Sequence, residues 1–244
     1  MRLLVSVRSA EEALAAVAGG ADIVDAKEPA RGPLGAVDLT VLDEIAAGVP
    51  ASTPVSAALG DFDQPAAAAA AVRAASASIA DRPAGGYLKL GFHGAADPAA
   101  ITAVLSAAVR AAGGRVGIVA AACAEGPAAG EANPLDVVRA AAACGAAGAL
   151  LDTRIKDGRG LLRWTPLVAV RGWVASARRG GLLAAVAGGL DADAISALRD
   201  CGADLLGVRG AACDSGRSGT VNATRVAALK ARLAGVTGGV GATS

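Results

Sequence analysis

Short runs of β-prone residues recur along the chain, separated by stretches whose apolar residues are spaced as on one face of a helix. We predict eight strands from these runs. They are Arg2–Val7, Asp22–Lys27, Pro54–Leu59, Tyr87–Phe92, Arg115–Ala120, Gly148–Thr153, Leu182–Ala187 and Leu205–Arg209. One predicted helix, Ala10–Ala18, has Ser9 as its N-cap and Glu12 three residues further on. Another, Ala192–Cys201, has Asp191 as its cap.

Glycine follows several predicted helices, at Gly20, Gly145 and Gly202, where a left-handed C-cap would turn the chain into the next strand. Eight parallel strands with right-handed helical crossovers fit 244 residues as one TIM (β/α)8 barrel. We assign the barrel to residues 1–233 and a flexible tail to residues 234–244. The alternative is an open doubly wound sheet, which would place a G-x-G-x-x-G motif after the first strand, where none stands.

Composition, net charge and hydropathy argue against several classes of protein. With 54% apolar residues and a mean hydropathy of +0.49, the chain can bury a large core, which excludes disorder for its bulk. A net charge of +1 and 2% aromatic residues argue against nucleic-acid binding. The first apolar run, Leu3–Val7, is too short for a signal segment or a membrane span. We therefore expect a cytoplasmic protein that binds neither membrane nor nucleic acid.

The cysteines and the single histidine make two kinds of site improbable. Cys123, Cys144, Cys201 and Cys213 are widely spaced, and His93 is the one histidine, so a zinc site is not expected. A nucleophilic serine or cysteine would have one candidate base and no G-x-S-x-G elbow. We interpret the cysteines as free, small, buried residues.

Charged side chains occur at the ends of three predicted strands, where a TIM barrel carries its chemistry. Alternation along the second strand places Asp25 and Lys27 on one face, directed into the barrel mouth. The fourth strand adds Lys89, and the sixth adds Asp152 with Lys156 on the loop above it. These two carboxylates and three amines are predicted to converge.

Lysine is rare in this sequence, since four of the 23 basic residues are lysine and the rest are arginine. Three of the four are the strand-end lysines just named, and we place the fourth, Lys230, on a solvated helix surface. A nucleophile or a general base must be able to lose its proton, which lysine can do and arginine cannot. The alternative is that a strand-end lysine merely pairs with a neighbouring carboxylate such as Asp25 or Asp152.

Glycines follow the seventh and eighth strands, which is where many barrels bind phosphate through backbone N–H groups. Arg209 is expected to add a bidentate guanidinium fork. For the Gly188–Gly189 pair, a simple tight turn is the alternative. The candidate phosphate ligands are Gly188, Gly189, Gly207, Arg209, Gly210 and Ala211.

Several motifs occur in an order that resembles one enzyme family. They are Gly19–Pro29, Gly35–Ala36, Val55–Ala57, Gly60–Asp61, Lys89–Gly91, Leu151–Thr153, Ile155–Gly158 and Gly207–Cys213. The chain thereby resembles (5-formylfuran-3-yl)methyl phosphate synthase, also called 4-(hydroxymethyl)-2-furancarboxaldehyde phosphate synthase. The resemblance extends from about residue 1 to residue 233.

The resemblance implies a lyase of TIM-barrel fold that condenses two glyceraldehyde 3-phosphate molecules into the furan phosphate used for methanofuran. It implies no metal and no organic cofactor. Lys27 matches the family's Schiff-base lysine and Lys89 its acid–base lysine, while Asp25, Asp152 and Lys156 match the other polar positions. Triose phosphates are the expected partners, and we expect a homo-oligomer.

The sequence departs from the family pattern in the Ala- and Gly-rich stretch Gly113–Asn133 and at His93, which leaves substrate contacts there unassigned. Two other functions stay open. A different Schiff-base aldolase acting on sugar phosphates would use the same lysine chemistry. A non-catalytic phosphate sensor would have no need of Lys27 and Lys89 together.

Overall fold

The computed structural model describes residues 1–93 and 97–235. Its eight strands are parallel and close into a barrel in chain order, β1 to β8. Pairing of β1 with β8, from Arg2 opposite Leu205 to Val5 opposite Val208, completes the closure. The strands are β1 (Arg2–Val7), β2 (Ile23–Ala26), β3 (Val55–Asp61), β4 (Gly86–Gly91), β5 (Gly117–Cys123), β6 (Gly148–Asp152), β7 (Leu183–Val186) and β8 (Leu205–Val208).

Helices pack around the outside of the barrel. In the described part of the chain they are α1 (Ala10–Ala18), α2 (Leu39–Gly48), α3 (Pro65–Ile79), α4 (Pro98–Ala112), α5 (Pro134–Ala143), α6 (Leu161–Trp164), α7 (Leu167–Arg179), α8 (Ala192–Leu198) and α9 (Ala223–Leu233). The predicted single-domain TIM barrel is confirmed, and the alternative of an open sheet is wrong. Of the predicted tail, residues 234–244, the part from 236 onward lies outside the described residues.

Two predicted boundaries differ from the structure. Strand β5 continues to Cys123 because Ala121 and Cys123 pair with Leu150 and Asp152 of β6, a partnership that an alanine run does not reveal. The last predicted turn of α8 is absent, since the helix ends at Leu198. The other strand ends agree with the prediction to within two residues.

Side-chain alternation separates the core into two layers. Inside the barrel, Ile23, Val119 and Leu150 pack together, whereas Val24 and Ala26 face the surrounding helices. Because β2 alternates in this way, residues 25 and 27 share the inner face with Ile23. The apolar layer thus forms the floor of the barrel mouth, and the charged residues lie above it.

The predicted caps are present, with one change. Ser9 Oγ accepts a hydrogen bond from Glu12 N (3.2 Å), and Asp191 Oδ1 accepts one from Ala194 N (2.8 Å). The Glu12 carboxylate, however, accepts from Arg8 N instead of returning to Ser9 as in a capping box. Gly20, Gly145 and Gly202 all have positive φ angles, as a left-handed turn into the next strand requires.

The described helices and cysteines bear on two further expectations. No helix in residues 1–93 and 97–235 is long and apolar enough to cross a membrane. All four cysteines are free. Cys201 and Cys213 are buried as expected, whereas Cys123 and Cys144 are half-buried.

Candidate active site

A cavity of about 290 Å³ opens at the carboxyl ends of the strands. Lys27, Lys89, Lys156 and Asp152 line it, and Asp25 lies fully buried beneath them. All five charged residues that the strand-end pattern singled out therefore meet at one place. The cavity combines an apolar floor with a few convergent charges, which is the usual constitution of a small-molecule site.

The Asp25 carboxylate accepts three hydrogen bonds. Ser6 Oγ donates to it at 2.8 Å, Ser56 Oγ at 2.6 Å and Lys89 Nζ at 2.6 Å. Strand register explains the two serines, because Ser6 is paired with Asp25 and Asp25 with Ser56 across β1, β2 and β3. The three donors satisfy the hydrogen-bonding capacity of this buried carboxylate and fix its position. Lys89 is thus an ion-pair partner, the alternative role that we considered for a strand-end lysine.

Lys27 is 8% exposed, and no described carboxylate lies within 4 Å of its amine. Burial lowers the pKa of Lys27 to about 8. The charges of Asp152 and Asp25 act to raise this pKa, while those of Lys89 and Lys156 act to lower it further. At pH 7 about a tenth of such amines are neutral, against fewer than about one in a thousand for an ordinary lysine. An amine in this state can act as a nucleophile near neutral pH.

Asp152 ends β6 and accepts a hydrogen bond from Lys156 Nζ at 2.7 Å and another from Thr153 N at 2.7 Å. Burial acts to raise the pKa of Asp152, but the charges of Lys156 and Lys27 and the hydrogen bonds outweigh it, so the pKa lies below its usual value. The carboxylate stays ionised near Lys27 and can take up a proton from an ammonium or a water.

The glycine loops after β7 and β8 border the same cavity. In the described residues, the backbone N–H groups of Gly188, Gly189, Gly210 and Ala211 donate to no protein acceptor. Gly188 and Gly189 have φ angles of +110° and +61°, and a Cβ on Gly188 would lie 2.9 Å from Thr153 Cγ2. Glycine is thus required here by conformation and by space, and unpaired N–H groups border the cavity.

The other two predicted phosphate ligands have different surroundings. Gly207 lies within β8 opposite Leu4, and its missing side chain leaves room in the cavity. Arg209 is 6% exposed and faces Glu12.

Every N–H group of the Arg209 guanidinium is in use. It donates to Glu12 through both Nη atoms, to Ser6 O at 3.0 Å, to Gly219 O at 2.8 Å and to Arg217 O at 3.1 Å. Despite burial, which acts to raise it, the pKa of Glu12 is lowered by hydrogen bonds to Arg209 and Arg8. The fork that we expected to bind phosphate is committed to a buried carboxylate instead.

A second group of charges, the rim cluster, lies at the end of β3 and on the loops that follow β4, β5 and β6, and consists of Asp61, His93, Glu125, Glu131 and Arg154. The Arg154 guanidinium pairs with Asp61 (Nη2 to Oδ1, 3.1 Å) and contacts the Glu131 carboxylate. His93 Nδ1 also lies 2.8 Å from Glu131 Oε1. The cluster joins loops that follow different strands.

Glu125 attaches the loop after β6 to the rest of the rim cluster. Its carboxylate accepts from Arg154 N at 3.1 Å, from Ile155 N at 2.9 Å and from Cys123 Sγ at 2.8 Å. Burial and the neighbouring Glu125 raise the pKa of Cys123 to about 12, so the thiol remains a donor. Because Lys156 follows directly after these two backbone groups, Glu125 helps to position it.

Sequence reasoning missed several polar residues near the cavity. Ser6 and Ser56 are single hydroxyl residues in otherwise apolar strands, and that signal was available. Arg217, which borders the cavity, lies in a loop where nothing in the local pattern distinguished it. Glu125 and Glu131 fall in the Gly113–Asn133 stretch that we left unassigned.

The closed barrel, with lysines and carboxylates at its carboxyl mouth, defines a TIM-barrel protein of the class that performs its chemistry at the strand ends. Phosphoribosyl anthranilate isomerase from Thermus thermophilus aligns over 97% of this chain and 100% of its own, with a TM-score of 0.64 and 18% identity. 3-Hexulose-6-phosphate synthase from Salmonella typhimurium aligns over 97% and 100%, with a TM-score of 0.61 and 17% identity. These likenesses establish the fold.

Sequence comparison establishes the family. The model of the 4-HFC-P synthase family matches residues 3–230. The (5-formylfuran-3-yl)methyl phosphate synthase of Methanothermobacter thermautotrophicus is 37% identical over 96% of this chain and 99% of its own length. That of Methanopyrus kandleri is 39% identical over 88% and 90%. The chain belongs to the 4-HFC-P synthase family, and the resemblance found in its motifs is confirmed.

Proposed function

We propose that this enzyme condenses two molecules of glyceraldehyde 3-phosphate into (5-formylfuran-3-yl)methyl phosphate through a Schiff base on Lys27. The observation that carries the proposal is a buried amine at the barrel mouth with a pKa of about 8 and no carboxylate within ion-pair distance among the described residues. The names of the relatives support the product.

The mass balance is consistent with this reaction. Two triose phosphates contain the six carbons of the product, and the difference in composition is one phosphoric acid and two waters. No electrons are gained or lost overall. The reaction therefore needs proton transfer and imine chemistry, which lysines and carboxylates can supply.

In the first step, one triose phosphate becomes a ketone through an enediol. Lys89 exchanges the protons in this step, with Asp25 as its partner at 2.6 Å. The ammonium donates to the carbonyl oxygen, and the amine that remains removes the proton from carbon. Asp25, held by Ser6 and Ser56, keeps the charge of Lys89 balanced throughout.

In the second step, the Lys27 amine adds to the ketone, and the carbinolamine loses water to give the imine. Asp152, with Lys156 at 2.7 Å, removes protons from nitrogen and returns one to the departing hydroxyl. The derived enamine then attacks the aldehyde carbon of the second triose. Phosphate elimination, ring closure, dehydration and release of Lys27 complete the furan.

The phosphate of one triose is held by the glycine cradle, which we define as Gly188, Gly189, Gly210 and Ala211. Its support is the set of backbone N–H groups without a protein acceptor in the described chain. Phosphate oxygens would accept these hydrogen bonds, as they do in many barrels of this fold.

The deciding experiment is incubation of the purified protein with glyceraldehyde 3-phosphate, followed by furan absorbance and released phosphate. We expect equal amounts of furan and phosphate, and borohydride reduction during turnover should add mass to the peptide containing Lys27. An aldol product without furan would instead support another Schiff-base aldolase. Tight triose binding without turnover would support a sensor.

A further inference from the structure

Arg217 borders the cavity from the loop between β8 and α9, in a short 3-10 helix formed by Gly216–Ser218. Its guanidinium makes one hydrogen bond in the described structure, from Nη2 to Gly32 O at 2.8 Å. No described carboxylate lies within 4 Å of it. Most of its donors are therefore available to a ligand.

Three other cations at the mouth have a carboxylate partner, which Arg217 lacks in the described structure. Lys89, Lys156 and Arg209 each contact a carboxylate directly. Burial lowers the pKa of Arg217, as expected when a guanidinium leaves water without a close counter-charge. A half-buried cation that lines a cavity in this state is suited to an anionic ligand.

The backbone that carries Arg217 is held firmly. Arg209 Nε donates to Arg217 O at 3.1 Å, and Arg209 is itself fixed by the buried Glu12. A Cβ on Gly210 would lie 3.4 Å from Arg217 N, so the two loop segments pack closely. Arg209 is thus a positioning residue for Arg217.

We propose that Arg217 binds a second phosphate at the mouth, separate from the one in the glycine cradle. This inference rests on the proposed function, in which two triose phosphates occupy the site together. The Arg217 backbone packs against Gly210 of the cradle, but its guanidinium donates to Gly32 O on the loop that follows β2. Gly188 and Gly189 follow β7, which lies on the opposite side of β8 from β2. A guanidinium fork matches two phosphate oxygens, so it can hold the second triose while Lys27 reacts.

Titration with inorganic phosphate, followed by calorimetry, tests the number of sites. We expect two phosphates per wild-type chain. Arg217→Met should bind one, and Gly188→Ala should lose the other, because its φ of +110° and Thr153 exclude a methyl group. Arg171→Met, an exposed change on α7, is the matched control and should bind two.

Kinetics with glyceraldehyde 3-phosphate provide the second measurement. Arg217→Met should lower kcat/KM on the order of ten- to a hundredfold, and Arg217→Lys should recover part of the loss because it keeps the charge. Two undiminished phosphate sites in Arg217→Met, or only one wild-type site that both variants abolish, would overturn the proposal. If the wild-type protein binds two phosphates but makes no furan, the synthase reaction is wrong and the second site stands.

Discussion

Two groups of charged residues lie at the same end of this barrel and differ in their cations. In the mouth, Lys27, Lys89 and Lys156 meet two carboxylates on strand ends. In the rim cluster, the cation that joins the loops is Arg154. The mouth is built mainly on strands and the rim on loops.

The difference matches the division between reacting and supporting groups that the proposed function requires. Lysine can lose its proton and form an imine, whereas arginine remains charged and binds carboxylates through a rigid fork. The chain uses arginine for most of its basic positions, yet three of its four lysines line this mouth. Exchange of a mouth lysine for arginine should therefore be severe, whereas exchange of Arg154 for lysine in the rim should be mild.

The largest effect should come from Lys27→Arg. A guanidinium cannot condense with the ketone, so turnover of glyceraldehyde 3-phosphate should fall on the order of a thousandfold or more. Borohydride trapping should also disappear. Turnover within tenfold of wild type would show that another amine forms the imine, with Lys156 the first to examine.

Lys27→Met is the folding control for that loss. Burial disfavours the Lys27 ammonium, so its replacement by an apolar side chain of similar length should leave thermal stability unchanged or raise it, by roughly 1–3 kcal/mol. Inactivity combined with higher stability would separate a chemical role from a structural one.

Lys89→Arg should have the next largest effect. The Asp25 ion pair can persist, but the guanidinium cannot exchange protons, so kcat should fall roughly a hundredfold. Dihydroxyacetone phosphate, which bypasses the first enolisation, should still allow Lys27 to be trapped in this variant. Nearly normal turnover would leave Lys89 with its ion-pair role alone.

The pH dependence of activity and of stability tests the pKa of Lys27. Since the pKa of Lys27 is about 8, kcat/KM should rise about tenfold per pH unit below that value and level off above it. A value of kcat/KM that stays constant from pH 6 to 8 would contradict the pKa of about 8 for Lys27.

The stability of the protein should depend on pH for the same reason. The pKa of Lys27 in the folded protein lies below its value in the unfolded chain, so the ammonium destabilises the fold. Stability should therefore rise with pH between about 8 and 10.5, and Lys27→Met should lack this rise.

The sequence predicted the barrel and its charged strand ends because both follow from local periodicity. The inward orientation of Asp25 and Lys27 follows from alternation along the second strand, and that of Lys89 from alternation along the fourth. The pairing of Arg209 with Glu12 joins residues 197 positions apart, and no local pattern contains such a contact. A short motif can thus identify a charged residue without indicating whether its donors reach a ligand or another part of the fold.

The smallest effect on activity should come from Glu125→Gln in the rim. A carboxamide keeps one acceptor oxygen but opposes the other backbone N–H with its own donor, so Arg154 N and Ile155 N cannot both be satisfied. Chemical denaturation should show a loss of about 1–3 kcal/mol, while kcat/KM falls only several-fold because the mouth amines remain. Glu44→Gln, exposed on α2, should change neither quantity. If Glu125→Gln instead kept full stability and lost as much activity as Lys89→Arg, the rim would take part in the chemistry, and the division between amine and guanidinium regions would fail.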